Sequence, residues 1–162
     1  KLAQDQPKRV SKLIVADIGP KFYPVHHQDV VDALRAVPVE KIERRTEAET
    51  YMQKYLSEPS VRQFLMKSLY RSGRGSFGWR FNLDSIERNI EKVGEALEEM
   101  DFDGETLFIR GEKSDYILDQ DWSDIKLLFP NAYLVTIDNA GHWLHAEKPK
   151  EFVRAIKNFL TN

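Results

Sequence analysis

The sequence predicts an α/β fold: a parallel sheet seen through three strands, interrupted by a long helical insertion. Three short apolar runs, residues 12–17, 106–110 and 132–138, are continuous rather than alternating, as expected of strands buried on both faces. The last two alternate with amphipathic helices, the order of a parallel β-α-β unit with a right-handed crossover. Residues 18–105 separate the first run from the second, far more than the roughly dozen residues a parallel crossover requires. No strand is expected between Lys21 and Glu105. The surplus reads as an inserted all-helical cap (residues 21–104), acting as a lid beside the carboxyl edge of a core made from residues 1–20 and 105–162.

Taken in order, Lys1 to Gln6 has the character of the last turns of a helix stopped before Pro7. There is no initiator Met and no signal-peptide pattern, so the chain is expected to lack its natural beginning. Leu13-Ile14-Val15-Ala16 forms the first strand and ends on Asp17, before Ile18-Gly19-Pro20 stops it. Asp17 therefore falls at the carboxyl edge of the sheet, where open α/β sheets place their sites.

Four helical patterns fill the insertion. The first covers residues 28–37, with Val30, Val31, Leu34 and Val37 on one face. The second is expected to open at Thr46, with Glu49 completing a capping box, and the third after Pro59, with Ser60 and Gln63 in the same relation and Phe64, Leu65 and Leu69 on its apolar face. The fourth is expected from Asp84, boxed by Glu87, and carries Ile86, Ile90, Val93 and Leu97. These apolar faces suit packing. Beyond the insertion come the strand ending at Arg110, a helix over residues 119–129, the strand ending at Asp138, and a last helix opening at Pro149.

Composition narrows the function classes. With 162 residues, 41% hydrophobic and 31% charged, the chain can bury a real core. A net charge of -2 and the lack of a basic stripe give no field for nucleic acid. No apolar run is long enough to span a membrane. Absence of cysteine removes disulfides, thiolate metal sites and a cysteine nucleophile, and fits a cytoplasmic protein. The adjacent His26 and His27 have no third ligand at helical spacing, so no metal site is expected.

The chemistry-bearing residues converge. Three strand ends deliver Asp17, the Ser114-Asp115 pair and His142 to one sheet edge. His142 sits on an Ala140-Gly141 turn just past a buried strand, which suits a proton carrier. A carboxylate at that edge can fix the imidazole tautomer and stabilise the imidazolium. His145, three residues on, reads as a packing or capping residue.

The segments Leu13-Ile14-Val15-Ala16-Asp17-Ile18-Gly19-Pro20, Arg110-Gly111-Glu112-Lys113-Ser114 and Ala140-Gly141-His142-Trp143-Leu144-His145-Ala146-Glu147-Lys148-Pro149 resemble the α/β-hydrolase fold. The resemblance covers essentially the whole chain, as the second half of such an enzyme with its cap. It implies that the three strands are the last three of the sheet and that His142 is the catalytic histidine. It is closest to an esterase and acyl-thioesterase subgroup whose acid follows the third-from-last strand, which implies Asp17 as the acid and Ser114 as its hydrogen-bonding support. Asp115, near the position used by most of the family, is the alternative acid. Trp79 in the cap and Trp143 beside the histidine are expected to line the substrate pocket.

One part of the family pattern is missing. No Gly-x-Ser-x-Gly elbow occurs. Arg74-Gly75-Ser76-Phe77-Gly78 imitates half of it and Gly73 to Gly78 spells G-x-G-x-x-G, but neither lies between a strand and a helix, so a flexible loop is expected there. The implied function is a serine-type carboxylic ester or acyl-thioester hydrolase. Its nucleophile and its N-terminal half would lie outside this chain, which alone should be inactive. The substrate is a small-molecule ester or acyl thioester, and the chemistry requires no cofactor. Alternatives on the same fold are a non-catalytic small-ligand-binding protein, an epoxide or haloalkane hydrolase, and a carbon–carbon bond hydrolase.

Overall fold

The structure, a computed structural model, describes residues 1–24, 27–73, 75–97 and 101–161. Among these residues the strands are β1 (Lys12–Ala16), β2 (Leu69–Arg71), β3 (Phe77–Trp79), β4 (Glu105–Gly111) and β5 (Ala132–Ile137). The helices are α1 (Leu2–Asp5), α2 (Gln28–Ala36), α3 (Arg45–Met52), α4 (Pro59–Met66), α5 (Leu83–Arg88), α6 (Ile90–Val93), α7 (Trp122–Leu128), α8 (Leu144–Glu147) and α9 (Pro149–Thr161). They divide into two compact units: Lys1–Phe22 with Ala96–Asn162, and Tyr23–Glu95.

In the first unit β1, β4 and β5 form one parallel sheet in the order β1-β4-β5. Alternation along β4 sends Phe108 to one face and Leu107 and Ile109 to the other. Phe108 packs with Phe102, Ile117, Ile125 and Phe129, its ring edge-on to Phe129 at 5.4 Å. Leu107 and Ile109 pack with Ile137, Ala140 and Leu144, under Phe152, Ile156 and Phe159 of α9. Each such side chain withdrawn from water stabilises the unit by about 1.5–3 kcal/mol. With both faces of the sheet covered, a continuous apolar run is what β4 requires.

Strand β1 departs from the expected double burial. Leu13 and Val15 touch one cluster and Ile14 the other, yet residues 12–15 are only half-buried and Ala16 is exposed. Its ladder partner among the described residues is β4 alone. The stretch before β4 also packs with the sheet. Phe102 is buried beside Phe129, and the Leu97 N–H donates to the Pro20 carbonyl at 2.8 Å.

The second unit corrects the expectation of an all-helical insertion. Strands β2 and β3 pair antiparallel, with Leu69 opposite Trp79 and Arg71 opposite Phe77. Leu69, expected on a helix face, is buried in this hairpin and joins Phe77, Met52, Leu56 and Val37 in the unit's core. Three-residue strands are too short for a period-2 pattern to stand out. The glycine-bearing segment is the hairpin's turn. The Ser72 N–H donates to the Ser76 carbonyl at 2.8 Å, and the Gly75 N–H to the Ser72 carbonyl at 2.9 Å; Gly75 takes a φ of 90°, a left-handed value glycine tolerates. Arg74 lies outside the described residues.

Helix starts in this unit also differ from the expected capping boxes. The Glu58 carboxylate caps α4 by accepting from the Ser60 N–H, and Asn82 caps α5 through the Ser85 N–H. Helix α3 begins at Arg45 without a side-chain cap, leaving Thr46 inside it. Asp84 and Glu87 are drawn instead to the Arg35 guanidinium of α2, at 2.5 Å for Glu87. The expected fourth helix breaks into α5 and α6 at Asn89.

Candidate active site

The parallel register brings three chain segments level at the carboxyl edge of the sheet. Ala16 lies opposite Ile109, and Gly111 opposite Ile137, so the residues following β1, β4 and β5 emerge side by side. Asp17 follows β1 directly. Its backbone turns into the left-handed region with φ 51°, a conformation that Asp and Asn adopt more readily than other non-glycine residues. Its N–H donates to the Ile109 carbonyl at 2.7 Å. The turn takes the Asp17 side chain across β4, where it is fully buried.

Three donors converge on this carboxylate. The Gly111 N–H reaches Oδ1 at 3.0 Å. The Ser114 hydroxyl donates to Oδ2 at 2.5 Å. His142 Nδ1 also lies 2.9 Å from Oδ2. A carboxylate engaged by donors at both oxygens acts as an acceptor, an arrangement that suits the tautomer with the ring proton on Nδ1 and an unprotonated Nε2. The His142 side chain is 42% exposed whereas that of Asp17 is 1% exposed. One member of the pair is sealed in the protein, and the other faces outward.

The histidine turn is built against β4. Asn139 supplies the left-handed residue of the turn, φ 56°, and donates its N–H to the Glu112 carboxylate at 2.7 Å. Ala140 is buried and accepts from the Lys113 N–H at 2.9 Å. The Gly141 N–H donates to the Glu147 carboxylate at 2.9 Å. Gly111 makes this contact possible, because a Cβ there would stand 2.3 Å from the Gly141 carbonyl and 2.6 Å from that of Ala140. Gly111→Ala must therefore push the histidine turn away from β4. The expected result is a loss of about 1–3 kcal/mol in chemical denaturation. Unchanged stability would show that the turn has slack.

One aromatic neighbour was not singled out from the sequence. The Tyr116 ring stacks on the His142 ring, 3.9 Å between centroids and 18° between planes. Its N–H donates to Ser114 Oγ at 3.3 Å, so the serine that binds Asp17 also sets the backbone bearing this ring. Burial, aided by the negative charge of Asp17, raises the Tyr116 phenol above its ordinary 10.0. The only sequence signal for it is an aromatic two residues past Ser114.

Each remaining sequence candidate has its own surroundings. Asp115 is exposed, while the Nδ1 edge of His142 is taken by Asp17. Trp143 is half-buried at the start of α8, its carbonyl accepting from the Ala146 and Glu147 N–H groups at 2.8 and 2.9 Å. Trp79 belongs to the second unit, where it stacks on Phe81 at 5.7 Å and packs on that unit's hydrophobic clusters. The His145 ring tilts against Phe152 at 6.2 Å. His27 precedes α2, and His26 lies outside the described residues. Among the described residues no group of three or more His, Asp or Glu is placed to hold a metal ion, and no helix is long and apolar enough to cross a membrane.

Comparison with known proteins adds relatives to this geometry. No protein-family model matches the chain. It is 38% identical over 98% of its length to the sn-1-specific diacylglycerol lipase ABHD11 of Danio rerio, covering 52% of that protein. It is 35% identical over 95% of its length to esterase YbfF of Escherichia coli (strain K12), covering 59% of it. Among solved structures, a marine microorganism esterase superposes with a TM-score of 0.90 at 39% identity, over 97% of this chain and 63% of that one. The chain thus spans a little over half the length of the curated relatives it matches.

Proposed function

The chain is homologous to α/β-hydrolase esterases and matches the C-terminal half of that fold, and from this premise we propose that it supplies the acid and the histidine of a serine-type carboxylic ester hydrolase. The nucleophilic serine is assigned to a segment outside these 162 residues, since no Gly-x-Ser-x-Gly occurs within them. The observation that carries the reading is the 2.9 Å contact between His142 Nδ1 and the buried Asp17. That contact holds the tautomer in which Nε2 can accept a proton.

In the proposed cycle the serine hydroxyl attacks the ester carbonyl while His142 Nε2 takes its proton. The tetrahedral intermediate collapses, and the same proton passes to the departing alkoxide, which leaves as the alcohol. Water then attacks the acyl-enzyme with His142 again as base, releasing the carboxylic acid and restoring the serine. The Asp17 carboxylate holds Nδ1–H throughout and offsets the positive charge that the ring gains in each half-reaction. Ser114 acts through Asp17 by occupying part of its acceptor capacity. The names of the relatives, lipase and esterase, support ester hydrolysis over epoxide, carbon–halogen or carbon–carbon chemistry and over simple ligand binding. Diacylglycerols and short acyl esters are the substrates to try first, with acyl thioesters after them.

The test is covalent trapping of the full-length protein with a fluorophosphonate, followed by peptide mapping. The expected outcome is one adduct, on a serine outside residues 1–162, with loss of ester turnover in proportion to labelling. An adduct on Ser114 or any other serine of this chain, or turnover that survives complete labelling, would overturn the assignment.

A further inference from the structure

We propose that Tyr116 is a positioning residue for His142, its ring face holding the imidazole at Asp17 and favouring the imidazolium formed whenever the histidine takes a proton. This rests on the hydrolytic reading of His142 given above. The geometry restrains the ring from two directions. Asp17 Oδ2 holds its Nδ1 edge at 2.9 Å, and Tyr116 covers one face, nearly parallel at 18° and 3.9 Å away. Among the described residues none is seen to hold the other face or the Nε2 edge, the atom that must meet the nucleophile.

An aromatic face carries the negative part of the ring quadrupole, so it attracts a cation more than a neutral ring. The imidazolium exists only after proton transfer, and preferential attraction to it lowers the barrier rather than tightening substrate binding. For this the phenol must itself stay uncharged. An ordinary phenol is already neutral across the range in which a histidine titrates, and burial and the nearby Asp17 charge shift its titration further upward.

The position of the ring is built in, because its own N–H is tied to Ser114 Oγ at 3.3 Å and that hydroxyl is tied to Asp17. Asp17, Ser114, Tyr116 and His142 form one connected unit drawn from all three strand ends. The titratable groups carried by the elements packed on the histidine turn are Asp17 from β1; Glu112, Lys113, Asp115 and Tyr116 from the loop after β4; and His145 and Glu147 from the histidine's own segment. Among the described residues, Asp17 holds the edge of the imidazole and Tyr116 its face.

The test uses the full-length protein and its kcat/KM profile against pH. Tyr116→Leu removes the ring face at a half-buried position. It is expected to lower kcat about 3- to 30-fold with KM little changed, and to move the acid limb to lower pH by about 0.5–1.5 units. Tyr116→Phe, which keeps the face and drops the hydroxyl, is expected to restore both. Pentafluorophenylalanine at position 116 keeps the ring's shape but reverses the polarity of its face, and should behave as the leucine variant does. That substitution also serves if Tyr116→Leu fails to fold. An acid limb that stays in place with either face-removing change, or a phenylalanine variant as impaired as leucine, overturns the proposal. His142→Ala is run beside them. If it retains turnover, the hydrolytic reading itself has failed; if it is inactive while the acid limb of the face-removing variants is unmoved, only the role of Tyr116 has.

Discussion

His142→Ala in the full-length protein is expected to slow ester hydrolysis by about 10⁴- to 10⁶-fold in kcat, with little change in KM and none in fold. The magnitude follows from what the imidazole does. A serine hydroxyl is a weak nucleophile at neutral pH, and without Nε2 it has no base to take its proton and no acid to protonate the leaving alkoxide. Alanine leaves no unpaired donor in the core, because the ring it removes is 42% exposed. It does leave Asp17 with one donor fewer, but Gly111 N–H and the Ser114 hydroxyl remain on that carboxylate. Stability measured by denaturant should therefore change far less than activity. A variant that keeps more than about a tenth of the wild-type rate would remove His142 from the mechanism.

Asp17→Asn is the second large effect, expected at about 10⁴-fold in kcat with the fold intact. An amide has one acceptor oxygen where the carboxylate has two, and its other terminus donates. If the amide oxygen faces Gly111 N–H, the NH₂ faces Nδ1 of His142, whose proton must then move to Nε2. The base is disabled in that tautomer. If the amide is flipped, the NH₂ opposes the buried Gly111 N–H and leaves a donor unsatisfied, at about 1–3 kcal/mol. Neither arrangement recovers the native pattern. Asp115→Asn, on an exposed residue, is the matching control and should stay within about threefold of wild type. If the two substitutions exchange their effects, the acid is Asp115 and Asp17 only braces the loop.

Much of this arrangement was legible before any coordinates. Apolar runs mark the three parallel strands, most fully β4, whose two faces are both covered, and the residues that follow each run must lie near the carboxyl edge. That logic brings Asp17, the Ser114-Asp115 pair and His142 to one edge, while the resemblance to the α/β-hydrolase fold implies the role of each. The hairpin β2–β3 was hidden because three residues per strand carry no readable period. Helix starts in the insertion were misplaced for a different reason. Glu58 and Asn82 provide the caps, and pairing with Arg35 draws Asp84 and Glu87 away from the roles their spacing suggests.

The sequence by itself determined the three strands and the residue types that follow each of them, since these are read along single segments; the strand order β1-β4-β5 belongs to the tertiary structure. Only the tertiary structure decided between Asp17 and Asp115 as the partner of Nδ1, showed that Gly111 must lack a side chain, and set Tyr116 over the imidazole. Each of these depends on distances between segments far apart in the chain: 125 residues between Asp17 and His142, 97 between Asp17 and Ser114. No local pattern carries such distances. The left-handed turn at Asp17 illustrates the point: its φ of 51° is a small local cost that becomes favourable only because Gly111, Ser114 and His142 are waiting across the strand to bind the carboxylate it delivers.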